Sequence, residues 1–519
     1  MHLVGPRAVL FGATLFLTGS APLLAQIARQ DATFTTAAVA NGERFGFPSQ
    51  TFPQVLATDG ATTVVGRLTP PTGPTFVEGA ETYLFERDAA GNWTEYGRLT
   101  SAVVAQLGHA VTVDGTTCAC TSFQQGRIAI FERNALGQWI ETATLSPPST
   151  GILHFGAVMQ LEGDRLAVGS RVAGATVTEE RLDVFERDAT GAWNHVATAP
   201  VPTTDPTHFV VPRSLDLSGD RVGLSVAIVD PLSGVVTGGV RIHERDANGN
   251  WPETARLLPN VTGSDLFDNA ALDGDRAAIA TVDPATGAGL VRILEHQANG
   301  TWNEVAPVTS TAPLGQRFGK AVALDGDELV VTTAETPFAL TFPSGSAQVF
   351  RRRANGTWFE AVRVIPDSDV FRGYSVAARD GEVVMGSIGD TSSPGAIDAF
   401  SSGTLFHGDR EAGVFLTQGS QDLFLRAGED FAGAVYLVLG SASGSAPATP
   451  IGGGLSLPLV PDAYTNLTLA VGAPIVGAAG LLDSDGAANA RFFVPFGTSP
   501  MFVGLRLHHA FVAVDPATF

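Results

Sequence analysis

The residues that could do chemistry are few and widely spaced. The segment 483–486 reads DSDG and alternates acids as the start of a calcium loop does. Such a loop needs an acidic ligand at its twelfth position and none stands there, so a hairpin turn accounts for it. His508 and His509 are adjacent, and on a strand they point to opposite faces and do not share one metal easily. Cys118 and Cys120, the only cysteines, fall on one side of a strand, where a bridge between them is strained. No second ligand cluster lies near them in sequence, so they read as small, half-buried strand residues. Asp230, Asp283 and Asp390 each open a loop after a repeated strand and are the best candidates for a weak cation site on one rim, although solvated loop starts explain them too. A nucleophile elbow, a zinc-binding His-Glu-x-x-His pattern and a phosphate-cradling glycine loop are all missing. The sequence therefore assigns no catalytic, cofactor-binding or metal residue and leaves the ligand-binding residues unknown.

The elements that must position any site are written in one repeated phrase. Residues 83–93 read YLFERDAAGNW, and variants return as IAIFERNALGQW, LDVFERDATGAW, VRIHERDANGNW, VRILEHQANGTW and AQVFRRRANGTW. All six tryptophans, Trp93, Trp139, Trp193, Trp251, Trp302 and Trp358, end one of these phrases. Their spacings of 46, 54, 58, 51 and 56 are too uneven for the rungs of a solenoid but suit a propeller, which absorbs length changes in loops. One residue type confined to one register of a repeat is a packing signature, and these rings are expected between neighbouring blades.

Each repeat has four parts. An apolar stretch often opened by Phe-Gly, as in FGKAVALDGD at 318–327, is followed by a second run such as ELVVTTA, then the phrase, then the segment after tryptophan. Alternating apolar and polar residues with turn residues at each join predict four antiparallel strands. Asp-Gly at Asp59, Asp114, Asp273, Asp325 and Asp380 marks the first hairpin, since glycine reaches positive φ without penalty. DATG at 188–191 fits a type I turn closed by a left-handed glycine. First strands begin near Phe45, Leu107, Phe155, Pro212, Phe267, Phe318 and Phe371, one more than the tryptophan strands. The segment 33–39 can be laid over 357–364 with Phe34 in the tryptophan position. This predicts seven blades closed by an N-terminal strand.

The rest of the chain bounds the setting. Arg7, an apolar run over 8–17 and small residues up to Ala25 have the layout of a signal peptide covering 1–25. The run is shorter than the roughly 20 residues a bilayer crossing needs, so no membrane insertion is expected after cleavage. Net charge is −21 and Lys320 is the only lysine, which argues against nucleic acid or an anionic membrane as partner. After the repeats at 31–400, a polar, glycine-containing stretch at 401–412 reads as a linker. The apolar strands of 413–519, separated by Gly, Pro and Ser, read as a β-sandwich.

The succession of Phe-Gly, Asp-Gly-Asp, a valine-rich strand and VFERDAxGxW resembles the FG-GAP repeat, in the bacterial variant of the β-propeller of integrin α subunits. The likeness spans roughly residues 31–400 and rests on six or seven copies in register. It implies a seven-bladed propeller used for extracellular binding or adhesion, with no catalytic role of its own. The calcium loops of the integrin type are reduced here to Asp-Gly-Asp or less, too few oxygens for a cation that takes six to eight, so no calcium site is carried over. The C-terminal segment, with LVLGSASGSAP and LHHAFVAVD, looks like a domain recurrent at the ends of exported bacterial proteins. Together these give an expectation of a non-enzymatic binding protein, secreted or held at the bacterial surface or periplasm, with an extracellular protein or glycan as partner and no cofactor. The alternative is a polysaccharide hydrolase or lyase with its site at the channel mouth.

Overall fold

A computed structural model describes residues 30–34, 44–45, 54–69, 79–88, 93–173, 178–201, 209–229, 236–257, 270–283, 286, 288–310, 317–334, 346–353, 355–364, 372–388 and 396–401 of the repeat region. Outside it, 8–13, 406–408, 419–427, 431–444, 449–452, 455–457, 459–470, 474–484, 486–494 and 507–514 are described. The chain divides into two compact units. One holds Asp31–Glu360 and Ser368–Phe400, the other Met1–Gln30, Ala361–Asp367 and Ser401–Phe519.

In the first unit the repeats form antiparallel sheets whose four strands lie in chain order, as in Ile152–Glu162, Arg165–Ala173, Thr178–Arg187 and Trp193–Val201 of the third repeat. Tryptophan opens the fourth strand in five repeats; in the fourth repeat that strand starts at Glu253, just past Trp251. The third and fourth strands slip register at one recurrent point, between Leu84 and Phe85, Ile130 and Phe131, Val184 and Phe185, and Ile242 and His243. A bulge repeated at one place is a designed twist, and it sets the tryptophan strand against the neighbouring sheet.

The first and last repeats meet in a single nine-stranded sheet. Arg44–Phe45 joins them, with Phe45 opposite Arg67 on one side and Ser387 on the other. Phe45 therefore does not open the first strand of its repeat, which is Leu56–Thr58. It is fully buried instead, with ring centroids 5.8 Å from Tyr83 and 6.1 Å from Phe85. The N-terminal strand is Gln30–Phe34, beside Ile397–Ser401. Phe34 is the last described residue of this strand, and 35–39, the rest of the segment laid over 357–364, lie outside the described residues.

The hairpins explain the Asp-Gly-Asp motif more fully than glycine's freedom alone. Asp114 pairs with Thr117 around a two-residue loop in which Gly115 has φ +57°, and Gly163, Gly219, Gly274 and Gly326 repeat this at +54° to +58°. Positive φ at the first loop position only is the type II′ pattern. In the last repeat both loop residues, Asp380 and Gly381, are positive, the type I′ pattern that Asp-Gly favours. The acid before the glycine reaches forward to the next repeat. The carboxylates of Asp114, Glu162, Asp273 and Asp325 accept from the backbone N–H of Gly163, Gly219, Gly326 and Asp380, each at 2.6 Å. The acid after the glycine receives an arginine of the repeat before it, in the pairs Arg165–Asp220, Arg221–Asp275 and Arg276–Asp327 at 3.0–3.1 Å.

The repeated phrase forms a second belt. Arg133 pairs with Glu86, Arg187 with Glu132, Arg245 with Glu186, His296 with Glu244, and Arg352 with Glu295, always a basic side chain of one repeat to an acid of the repeat before. Arg87 of the first repeat takes Glu382 of the last at 2.8 Å. The indole N–H of Trp139 donates to Glu86 and that of Trp93 to Glu382. Arg165 stacks over Trp251 and Arg221 over Trp302, again across neighbouring repeats. Each buried cluster mixes two adjacent repeats, as in Val64 and Leu84 with Val111, Phe131 and Trp139, or Tyr83 and Phe85 with Val384 and Ile397. Sheets that pack in succession until the last meets the first make the arrangement of a β-propeller.

In the second unit, two four-stranded sheets share one core. Leu423, Leu425, Ile475 and Ala490 come from one sheet, and Tyr436, Val438, Phe511 and Ala513 from the other. Ala8–Ala13, within the segment read as a signal peptide, lies as an edge strand on His508–Val514. Phe406–Gly408, within the stretch read as a linker, pairs with Gly419–Arg426, so part of that stretch is sheet. The helix Ala463–Thr468 is fixed by a capping box in which Asp462 accepts from Tyr464 and Thr465 N–H, and Thr465 Oγ1 accepts from Asp462 N–H.

Candidate ligand site in the central channel

The first strands of the repeats line one internal space of about 150 Å³. Its wall is mostly Ala, Val and Leu, interrupted by polar groups that include Gln54, Gln160, Arg213, Asp216 and Tyr374. Gln54 reaches past the second repeat, accepting from Met159 N–H at 2.7 Å through its side chain, while its carbonyl takes Val111 N–H at 2.9 Å. Asp216 stands half-buried in the wall, where its Oδ2 accepts from Leu272 N–H at 3.0 Å. Burial, aided by the nearby charge of Asp273, pushes its carboxyl up to about 7 although the Leu272 hydrogen bond opposes the shift. Near neutral pH this group both holds and releases a proton.

The two ends of the first strands differ. One carries the hairpin acids of the forward-reaching clasps. At the other, the pairing of first with second strand breaks between Pro212 and Ser214, Phe318 and Val322, and Arg372 and Ser375. Arg213, Lys320 and Tyr374 fall inside these breaks, each five residues before the last pair of its hairpin. Lys320 Nζ stands 5.1 Å over the Tyr374 ring. Bulges free a residue from the ladder and re-aim its side chain, and here they gather two cations and an aromatic ring at one end of the channel. Composition could not show this, because the chain as a whole is strongly acidic.

The residues singled out from sequence lie elsewhere. Cys118 and Cys120 are fully buried between the first two repeats, not half-buried, and burial holds the Cys118 thiol well above its usual range. His509 is buried and shares a 2.8 Å hydrogen bond with Tyr464. Asp483 closes a turn, its Oδ1 accepting from Ala487 N–H. Asp283 N–H donates to Ala288 O at 2.7 Å, while Asp230 and Asp390 lie outside the described residues. Among the described residues no three His, Cys, Asp or Glu converge as metal ligands, and no helix is long and apolar enough to cross a membrane.

No protein-family model matches the chain, and no curated protein does. Solved structures do align with it. The β-propeller domain of the Trilobed protease of Pyrococcus furiosus is 9% identical, with 70% of this chain and 94% of that one covered at a TM-score of 0.40. The periplasmic gluconolactonase of Pseudomonas aeruginosa is 15% identical, covering 66% and 97% at 0.38. The acylaminoacyl peptidase of Pyrococcus horikoshii is 9% identical, covering 75% and 60% at 0.40. The expectation of a non-enzymatic protein is corrected by these neighbours, which include a gluconolactonase and a peptidase. At such identities no activity passes from them to this chain.

Proposed function

We propose that the chain is an exported propeller of seven blades, of FG-GAP type, that takes an extracellular ligand at the bulged end of its channel, followed by a β-sandwich domain. The observation that carries this reading is the placing of Arg213, Lys320 and Tyr374 in the bulges of three different first strands at one level. Closure of the ring is supported by the Arg87–Glu382 pair and by Gln30–Phe34 lying beside Ile397–Ser401. The ligand is a protein or glycan of the cell exterior. A binding array of glycans and surface proteins, probed with the wild type and with Tyr374→Ala, tests the site. Loss of the captured ligand by at least tenfold in the variant, with the melting temperature kept, is the expected result; equal capture by both would move the ligand elsewhere.

A second reading, a polysaccharide hydrolase or lyase at the channel mouth on the hairpin side, draws on Asp216, whose carboxyl at about 7 suits a general acid near neutral pH. Its neighbour Asp273 is committed by both oxygens, to Ser218 Oγ and Gly326 N–H. The paired carboxylates of most glycosidases would therefore need a second acid from the ligand-facing loops. Release of reducing ends from the captured glycan, abolished in Asp216→Asn, would establish this reading.

A further inference from the structure

Around the channel, one hydrogen-bonding arrangement recurs and then stops. The residue one ladder pair in from the hairpin turns its N–H away from the second strand, as Leu161 opposite Leu166 and Leu272 opposite Ala277 do. A side chain of the preceding repeat takes each donor: Thr112 Oγ1 accepts from Leu161 N–H and Asp216 Oδ2 from Leu272 N–H, both at 3.0 Å. Two residues earlier, Ser214 Oγ accepts from Ala270 N–H and donates to Ala270 O. In the last repeat the same ladder positions are Val376, opposite Met385, and Ala378, opposite Val383. The repeat before it has Ala321 and Ala323 where the fourth has Ser214 and Asp216, and an alanine side chain accepts nothing. Neither Val376 N–H nor Ala378 N–H therefore has an acceptor among the described residues. These four residues and Asp216 line the same internal space, and Asp216 Oδ1 has no partner among the described residues either.

We propose that this space holds the acetamido group of an N-acetylated sugar, its carbonyl oxygen accepting from Ala378 N–H, its N–H donated to Asp216 Oδ1 and its methyl against Ala321 and Ala323. The proposal rests on the channel reading above, whose Arg213 and Tyr374 line the same space, and names the group of the ligand that enters it. A trans amide points its C=O and N–H in opposite directions, so a donor on one repeat and an acceptor on another are what recognise it. A ligand without the amide leaves both wall groups unpaired, which is where the discrimination comes from. A peptide bond carries the same amide but continues as chain on both sides at about 3.3 Å per residue. A space of about 150 Å³ suits a pendant group that ends in a methyl, not a threaded strand.

Calorimetric titration of the full chain with N-acetylglucosamine, glucose and N-acetylalanine N-methylamide tests the site. N-acetylglucosamine should bind about tenfold or more tighter than either of the others. Ala323→Thr supplies the last repeat with the acceptor that Thr112 gives Leu161, so it should cap Ala378 N–H and weaken the sugar about tenfold, whereas Ala323→Val, equal in size but without the acceptor, should weaken it about threefold at most. Both variants are compared at unchanged melting temperature. Absence of N-acetylglucosamine binding, equal binding of glucose, or equal loss in the threonine and valine variants would overturn the assignment, and tighter binding of the peptide amide would give the site to a peptide instead. If the assignment fails while Tyr374→Ala still abolishes array capture, the channel reading stands without it. If N-acetylglucosamine binds as expected while capture is indifferent to Tyr374, the acetamido site holds and the ligand site at the bulged end falls.

Discussion

Glu86 accepts from both Arg133 and Trp139 of the next repeat, and Glu382 does the same for Arg87 and Trp93. The tryptophans could be read from sequence as packing residues, because one residue type held one register throughout. The partners of the Glu-Arg pair beside them could not, since the two charges are adjacent in sequence and each answers to a different neighbour some fifty residues away. Asp216 and Glu180 were equally hidden, because a carboxyl on an alternating strand looks solvated until the next sheet covers it. Asp216 has a measurable signature. Its folded-state value near 7 exceeds the ordinary 3.8, so between about pH 4 and 7 the folded chain keeps a proton the unfolded chain has lost. Stability therefore falls as pH rises through that window, and Glu180 adds to the same trend up to about pH 8. Asp216→Asn should remove on the order of 2 kcal/mol of this loss. Urea unfolding at pH 4.5 and 7.5 measures it, and equal losses in variant and wild type would show that Asp216 titrates normally.

At the level of strands and turns, the glycine that opens the first strand, in Phe-Gly or in variants such as Leu107-Gly108 and Arg372-Gly373, turns out to be a matter of contact. A Cβ on Gly108 would lie 2.4 Å from the carbonyl oxygen of Glu81 in the first repeat, and one on Gly373 would lie 2.6 Å from that of Thr333 in the sixth. Both residues also have positive φ, so the glycine serves backbone conformation and close approach at once. The hairpin glycine Gly163 has positive φ with open space around it. Gly108→Ala should thus cost about 2 kcal/mol or more and Gly163→Ala about 1 kcal/mol. Matched denaturation curves check the order, and a larger loss at Gly163 would mean that the sheets do not touch at Gly108. Strand number and order within a repeat were legible because apolar alternation and turn glycines recur. The bulges that expose Arg213, Lys320 and Tyr374 were not, since a register slip leaves no mark in composition.

For the whole molecule, ring closure was inferred from a count, with seven first strands against six tryptophans. The structure places Gln30–Phe34 beside Ile397–Ser401 and adds a contact the sequence concealed. Ile397–Ser401 carries no Glu-Arg pair, so the last repeat has no acid in the usual place, and Glu382 of its second strand stands in, 1% exposed, for Arg87 and Trp93. If the channel is to present one constant mouth to a ligand, this junction must hold as firmly as the other interfaces between repeats. A double-mutant cycle of Arg87→Gln and Glu382→Gln, followed by urea unfolding of the full chain, asks that directly. A closed ring predicts a coupling of about 1–2 kcal/mol, with Glu382→Gln alone costing about 2 kcal/mol because Arg87 is only partly exposed. Additive effects with no coupling would contradict the closure on which the channel depends.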